Sequence, residues 1–109
     1  MSELSFRVNL SPGEAYNRVR EKEEADLVHE EFHDLGDGRA IGTLVFERYY
    51  FRTSNRAALV VIIDNLNGQT EVRSIAIGSS EGLFLKFDWG AASSFASTVE
   101  RILKDHIQE

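Results

Sequence analysis

The sequence predicts a single α+β domain, residues 1–109, in which a curved antiparallel sheet carries two helices on one face. Three observations carry that prediction. Apolar and polar residues alternate at a period of two in separate stretches, two other stretches have helix start signals with apolar residues at helical spacing, and glycine-bearing turns divide the extended runs. The implied order is strand, helix, four strands, helix.

Composition narrows the class before any element is placed. The 109 residues are 42% hydrophobic and 28% charged with one proline, which describes an ordinary globular domain able to bury about two-thirds of its unfolded surface. There is no cysteine, so a disulfide framework, a thiolate metal site and a thiol nucleophile are all excluded. A formal net charge of −6 opposes attraction to nucleic acid or to anionic membranes, and neither is expected as a partner. The N-terminal residues lack a basic region followed by an apolar core, and no apolar run reaches spanning length, so the expected location is the cytoplasm.

Leu4, Phe6, Val8 and Leu10 alternate with Ser5, Arg7 and Asn9, as one strand with a buried face requires. Ser11-Pro12-Gly13-Glu14 then starts a helix. Ser11 serves as N-cap, Pro12 takes the first position where no N–H is needed, and Glu14 is placed for a capping box. The helix runs through Tyr16 and Val19, and its end is blurred by Glu21, Glu23, Glu24 and Asp26.

Residues 26–52 read as a hairpin turned by Gly36-Asp37-Gly38, with a second strand from Ile41 to Phe51 rich in β-branched and aromatic residues. A three-residue turn pairs Phe32 near Gly42 and Val28 near Phe46. It sets Val28, Phe32, Leu44 and Phe46 on one face and His29, Glu31 and His33 on the other. After the turn at Thr53-Ser54-Asn55-Arg56, the unbroken apolar run from Ala57 to Ile63 suggests a strand covered on both faces. Asn67-Gly68 signals the next hairpin, leading into a strand from Thr70 to Ile77 with Ile63 opposite Val72 and Ile62 opposite Arg73.

Gly78-Ser79-Ser80-Glu81-Gly82 is a loop; no Lys-Ser or Lys-Thr follows, so it is not a phosphate cradle. Leu83 to Phe87 fits either an edge strand or an apolar loop under the last helix. Asp88 is a plausible N-cap for a helix to about Ile107, with Phe95, Val99, Ile102, Leu103 and His106 on one stripe. This order of elements resembles the TATA-binding-protein-like and helix-grip folds, a resemblance of fold that carries no function.

Two segments carry chemistry-bearing residues. His29-Glu30-Glu31-Phe32-His33 matches His-Glu-x-x-His, which on a helix holds zinc with two imidazoles and uses the glutamate as base. Ala25, Val28, Phe32 and Leu35 have helical spacing, and Gly36 could cap such a helix. The third ligand of the extended motif would fall at Arg39, a fixed cation, and Glu31 and Asp34 are charged where that motif is apolar. A metal-dependent hydrolase using His29, Glu30 and His33 is therefore the alternative, and a solvated strand face is the preferred reading. On a strand His29, Glu31 and His33 would share one face, and that row is the metal-binding variant of the reading.

The second segment is the basic and aromatic cluster from Phe46 to Arg56. Its arginines and aromatics could bind single-stranded nucleic acid, but Glu47 dilutes the charge and no RNA-recognition signature is present. A small anionic ligand held by Arg48, Tyr50, Arg52 and Arg56 is the better expectation, since Arg48 and Arg52 fall on one strand face. Ser93, Ser94 and Ser97 have no His-Asp partners, so no catalytic nucleophile and no cofactor are assigned. If both helices cover one sheet face, the alternate residues of 57–63 need cover on the other, from a homodimer partner, a ligand or residues 83–87.

Arg48-Tyr49-Tyr50-Phe51-Arg52-Thr53-Ser54-Asn55-Arg56-Ala57 and Phe87-Asp88-Trp89-Gly90-Ala91 resemble a small family of uncharacterised bacterial proteins of about this length. The resemblance spans nearly the whole chain, implies a bacterial cytoplasmic origin and carries over no catalytic residue. The expected function is thus a non-enzymatic small-ligand-binding or protein-interaction domain.

Overall fold

In the computed structural model, residues 2–50, 55–79 and 89–108 are described. The strands are β1 (Ser2–Val8), β2 (Asp26–Gly36), β3 (Arg39–Tyr50), β4 (Asn55–Asp64), β5 (Thr70–Ser79) and β6 (Ile107–Gln108), and the helices are α1 (Pro12–Lys22) and α2 (Trp89–Ile102). Among the described residues the strands form one open, curved antiparallel sheet in the order β2-β3-β4-β5-β1-β6. Among the described residues, no helix is long and apolar enough to cross a membrane. Residues 51–54 and 80–88, including Phe51, Arg52, the 83–87 segment and the Asp88 cap, lie outside the described residues.

The capping box forms as its residues require. Ser11 Oγ accepts the Glu14 N–H at 3.2 Å and Glu14 Oε1 accepts the Ser11 N–H at 3.1 Å, so two otherwise orphaned donors at the helix start are satisfied. The helix stops when Glu23 turns to an extended backbone while its N–H still donates to Val19 O at 2.9 Å. Ala15, Tyr16 and Val19 then face the sheet and join Leu44, Phe46, Leu59, Val61, Ile63 and Val72 in one core with Phe95, Ala96, Val99 and Leu103 of the last helical segment. Both helices therefore cover one face, as expected. Each large side chain buried there contributes on the order of 1.5–3 kcal/mol. The buried Ser74 hydroxyl donates to Ala96 O at 2.8 Å, so this polar group on the helix-covered face is satisfied.

The β2–β3 hairpin differs from expectation at both ends. Phe32 does pair with Gly42, but Gly36 pairs with Arg39, leaving a two-residue turn of Asp37 (φ 55°) and Gly38 (φ 77°). Positive φ at both positions is what a type I′ hairpin turn uses, and Asp-Gly is a favoured pair for it. The register shifts between Asp34 and Gly36 and again between Leu27 and His29. In consequence Leu27, not Val28, pairs with Phe46, and Val28 stands 56% exposed. A bulge at Val28 rotates the strand so that Leu27 reaches the core.

β4 and β5 have the expected register, Ile63 opposite Val72 and Ile62 opposite Arg73. Their connection is longer than an Asn-Gly turn: it spans Asn65 to Gln69, closed by the Gly68 N–H on Asn65 O at 3.0 Å with Gly68 at φ 93°. Among the described residues, the apolar run of β4 is covered on one face only. Leu59, Val61 and Ile63 are buried beneath the helices, whereas Val60 and Ile62 are only half-buried on the side opposite them. There Val45, Val60 and Ile75 stand side by side in one cross-strand row, flanked by Ile62 and the 43%-exposed Ile77.

The last helix ends at Ile102 rather than near Ile107. A 3-10 turn at Lys104–His106 redirects the chain so that Ile107 pairs with Val8 as β6. His106 leaves the apolar stripe: its Nδ1 lies 3.1 Å from Asn9 Oδ1, and the Asn9 N–H donates to His106 O at 2.9 Å.

Candidate functional site

The two chemistry-bearing segments are separated by simple strand alternation. In β2, His29, Glu31 and His33 project to the open face, and Glu30 projects to the helix face. Glu30 receives Arg20 of α1 in a two-pronged ion pair, Nε to Oε1 at 2.8 Å and Nη2 to Oε2 at 3.3 Å. That bond holds the Glu30 carboxyl below its ordinary range and the Arg20 guanidinium above its own. The base and the imidazoles of the His-Glu-x-x-His pattern thus lie on opposite sides of a strand. The helical arrangement that pattern needs is absent from β2, and this removes the geometry of the hydrolase alternative.

On the open face both imidazoles turn to one carboxylate. His29 Nε2 lies 2.6 Å from Glu31 Oε1 and His33 Nε2 lies 3.0 Å from Oε2, and these bonds from His33 and His29 hold the Glu31 carboxyl low. Each nitrogen is directed at its own oxygen, not at a common centre. Among the described residues, no group of three or more His, Cys, Asp or Glu is arranged to hold a metal ion.

The basic cluster is likewise divided. Arg56 projects to the open face, where it pairs with Glu47 and lies over the Tyr49 ring at 5.8 Å. Arg48 and Tyr50 project to the helix face, with the Arg48 guanidinium 5.5 Å from the Tyr50 ring centroid. Tyr50 meets Phe95 edge-on at 6.2 Å, and burial raises the pKa of its hydroxyl. Arg48 and Arg56 therefore cannot serve one small ligand, and Arg52 lies outside the described residues.

Arg48 instead opens onto a cleft of about 490 Å³ between the end of α1, the end of β3 and one side of α2. Lys22 comes from the last turn of α1, followed by Glu23 and Glu24, and α2 contributes Ser94, Thr98, Arg101 and Ile102. The spacing of Ser94, Thr98 and Arg101 makes a polar row beside the buried stripe of Phe95, Val99 and Leu103. The Thr98 hydroxyl lies 2.6 Å from Glu23 Oε2 and 2.8 Å from Phe95 O. Its single proton serves one acceptor at a time, and the carboxylate is the stronger. With the Ala25 N–H donating to Oε1 at 3.4 Å, Glu23 is fastened at the base of the cleft. Among the described residues, Lys22, Arg48, Arg101 and Glu24 take part in no ion pair.

Of the residues that line this cleft, the sequence singles out Arg48 alone; Lys22, Thr98 and Arg101 were not among its candidates. The charge run after α1 was visible only as an obstacle to ending the helix, and the polar row of α2 was hidden behind its apolar stripe. A smaller hollow of about 230 Å³ lies at the far end of the sheet, but its arginine, Arg7, already donates to Gln69 at 3.0 Å.

No curated protein and no solved structure matches this chain. The sequence pattern of one family covers residues 5–107, almost the whole chain. The chain belongs to that family, DUF6054, a family of unknown function.

Proposed function

We propose that this protein is a non-enzymatic binding domain whose cleft between α1, β3 and α2 takes a small anionic ligand. One observation carries the reading: Lys22, Arg48 and Arg101 come from three separate elements, line one cleft of about 490 Å³, and make no ion pair among the described residues. A cleft of that size suits a small organic molecule. Arginines offer planar pairs of donors to a carboxylate or phosphate, and each charge-assisted bond contributes about 1.5–3 kcal/mol, or roughly 10- to 150-fold in affinity. Isothermal titration with phosphate, succinate and citrate tests it. Binding that Arg48→Ala and Arg101→Ala each weaken at least tenfold supports the reading, and binding indifferent to both substitutions refutes it.

A second reading concerns the open sheet face, which we take to be a homodimer surface. The solvent side of an antiparallel sheet ordinarily alternates toward polar residues, whereas Val45, Val60, Ile62, Ile75 and Ile77 make a contiguous apolar patch. Sedimentation of the wild type against Val60→Lys tests it: a dimer that the substitution dissociates is expected, and a monomeric wild type rules it out. The motif resemblance of Arg48 to Ala57 and of Phe87 to Ala91 supports a bacterial cytoplasmic setting for both readings.

A further inference from the structure

The cleft is lined by charges of both signs that do not neutralise one another. Lys22, Arg48 and Arg101 supply cations, Glu23 and Glu24 supply anions, and among the described residues no ion pair joins the two sets. A site for a simple anion has no use for carboxylates in its lining, because each would repel the ligand. One of them, Glu23, is moreover held there by the Thr98 hydroxyl at 2.6 Å, so its presence is built into the contact between α2 and the end of α1.

Backbone polarity adds to the negative side. α1 ends at Lys22, and Glu23 and Glu24 follow it directly, so the partial negative charge of an eleven-residue helix C-terminus points into the same corner. On the β3 side, among the described residues Arg48 is in contact with the Tyr50 ring and takes part in no ion pair, so its donors can meet a planar anion.

Resting on the ligand-binding reading above, we propose that the ligand is zwitterionic, of the amino-acid or short-peptide class. Its carboxylate meets Arg48 and Arg101 and its ammonium meets Glu24 and the helix end beside Glu23. Such a ligand completes the charge pairs that the protein leaves unmade.

The test uses the full chain and isothermal titration with free amino acids and dipeptides, their N-acetyl derivatives, and succinate and phosphate as simple anions. The proposal predicts that at least one zwitterion binds, that N-acetylation weakens it tenfold or more, and that Glu24→Gln weakens the zwitterion while leaving simple anions unchanged or tighter. Glu24 is exposed and, among the described residues, takes part in no ion pair, so that variant keeps the fold, which its circular dichroism checks. If succinate or phosphate binds as tightly as any zwitterion and Glu24→Gln improves both alike, the zwitterion proposal is overturned and the anion site stands. If no probe binds, both fall.

Discussion

Gly42→Ala places a methyl group where the fold has no room for it. Gly42 lies buried in β3 opposite Phe32, and a Cβ there would stand 2.5 Å from Tyr16 Cδ2, 2.9 Å from Phe32 Cδ1 and 3.0 Å from Tyr16 Cε2. Carbon atoms in contact prefer about 3.5–4.0 Å, so roughly 1 Å must be absorbed. Phe32 is 42% exposed and can swing outward, but Tyr16 is 7% exposed and locked between Gly42 and the core. The strain therefore falls on the seat of α1. Overpacking of this kind costs about 1–3 kcal/mol, offset by about 0.4–1 kcal/mol from the stiffer unfolded chain, which leaves a net loss of about 1–2 kcal/mol. With an unfolding entropy of about 2.1 cal/mol/K per residue over 109 residues, or about 0.23 kcal/mol/K, the melting temperature should fall by about 4–9 °C. Thermal unfolding followed by circular dichroism reads this directly. A double-mutant cycle with Tyr16→Leu should return about 1 kcal/mol of coupling, because the smaller side chain vacates the contested space. A variant melting within a degree of wild type, or strictly additive effects, would mean that Tyr16 does not confine the added methyl group.

Three other outcomes follow from the same contacts. Ser11→Ala removes one half of the capping box and should cost about 1 kcal/mol in chemical denaturation, whereas Glu14→Gln should cost less because glutamine can still accept the Ser11 N–H. Glu14, held low by the Ser11 backbone N–H, Glu30 by Arg20 and Glu31 by His33 and His29 all ionise below the ordinary value of 4.5. Below that pH the unfolded chain takes up protons that the folded chain refuses, so the stability they contribute is present above about pH 4.5 and is lost as pH falls through the lower folded values. Glu30→Gln should flatten that slope in urea titrations at successive pH values, and an unchanged slope would count against the Arg20 pair. Finally, His29 and His33 are more than half exposed, so replacing both with alanine should change stability by no more than about 0.5 kcal/mol and leave ligand binding unaltered.

Local chemistry explains what could be read in advance. The Ser11-Pro12-Gly13-Glu14 cap, the pairing of Ile63 with Val72 and the strand character of His29 to His33 all follow from short-range rules about caps, turns and alternation. The bulge at Val28 was not legible, because no glycine or proline marks it; it arises where Leu27 gains more by entering the core than regular pairing would give. β6 was hidden for a related reason: Ile107 continues the helical apolar pattern, and only the Asn9–His106 bonds at the end of β1 turn it into a strand. The cleft was least accessible of all. Lys22, Arg48 and Arg101 are distant in the chain, and each has an ordinary local explanation, two of them as cations in a helix's last turn.

The proposed ligand site is the cleft at the ends of α1 and β3, as against the histidine row of β2 or the open sheet face. Titrating isotope-labelled protein with the tightest-binding small anion or amino acid, and following the backbone amide resonances, tests it most directly. Binding in the cleft should give saturable shifts concentrated at residues 22–25, 47–50 and 94–102, abolished together by Arg48→Ala. Shifts centred on His29 to His33 or on Val45, Val60 and Ile75, with residues 94–102 unmoved, would contradict it.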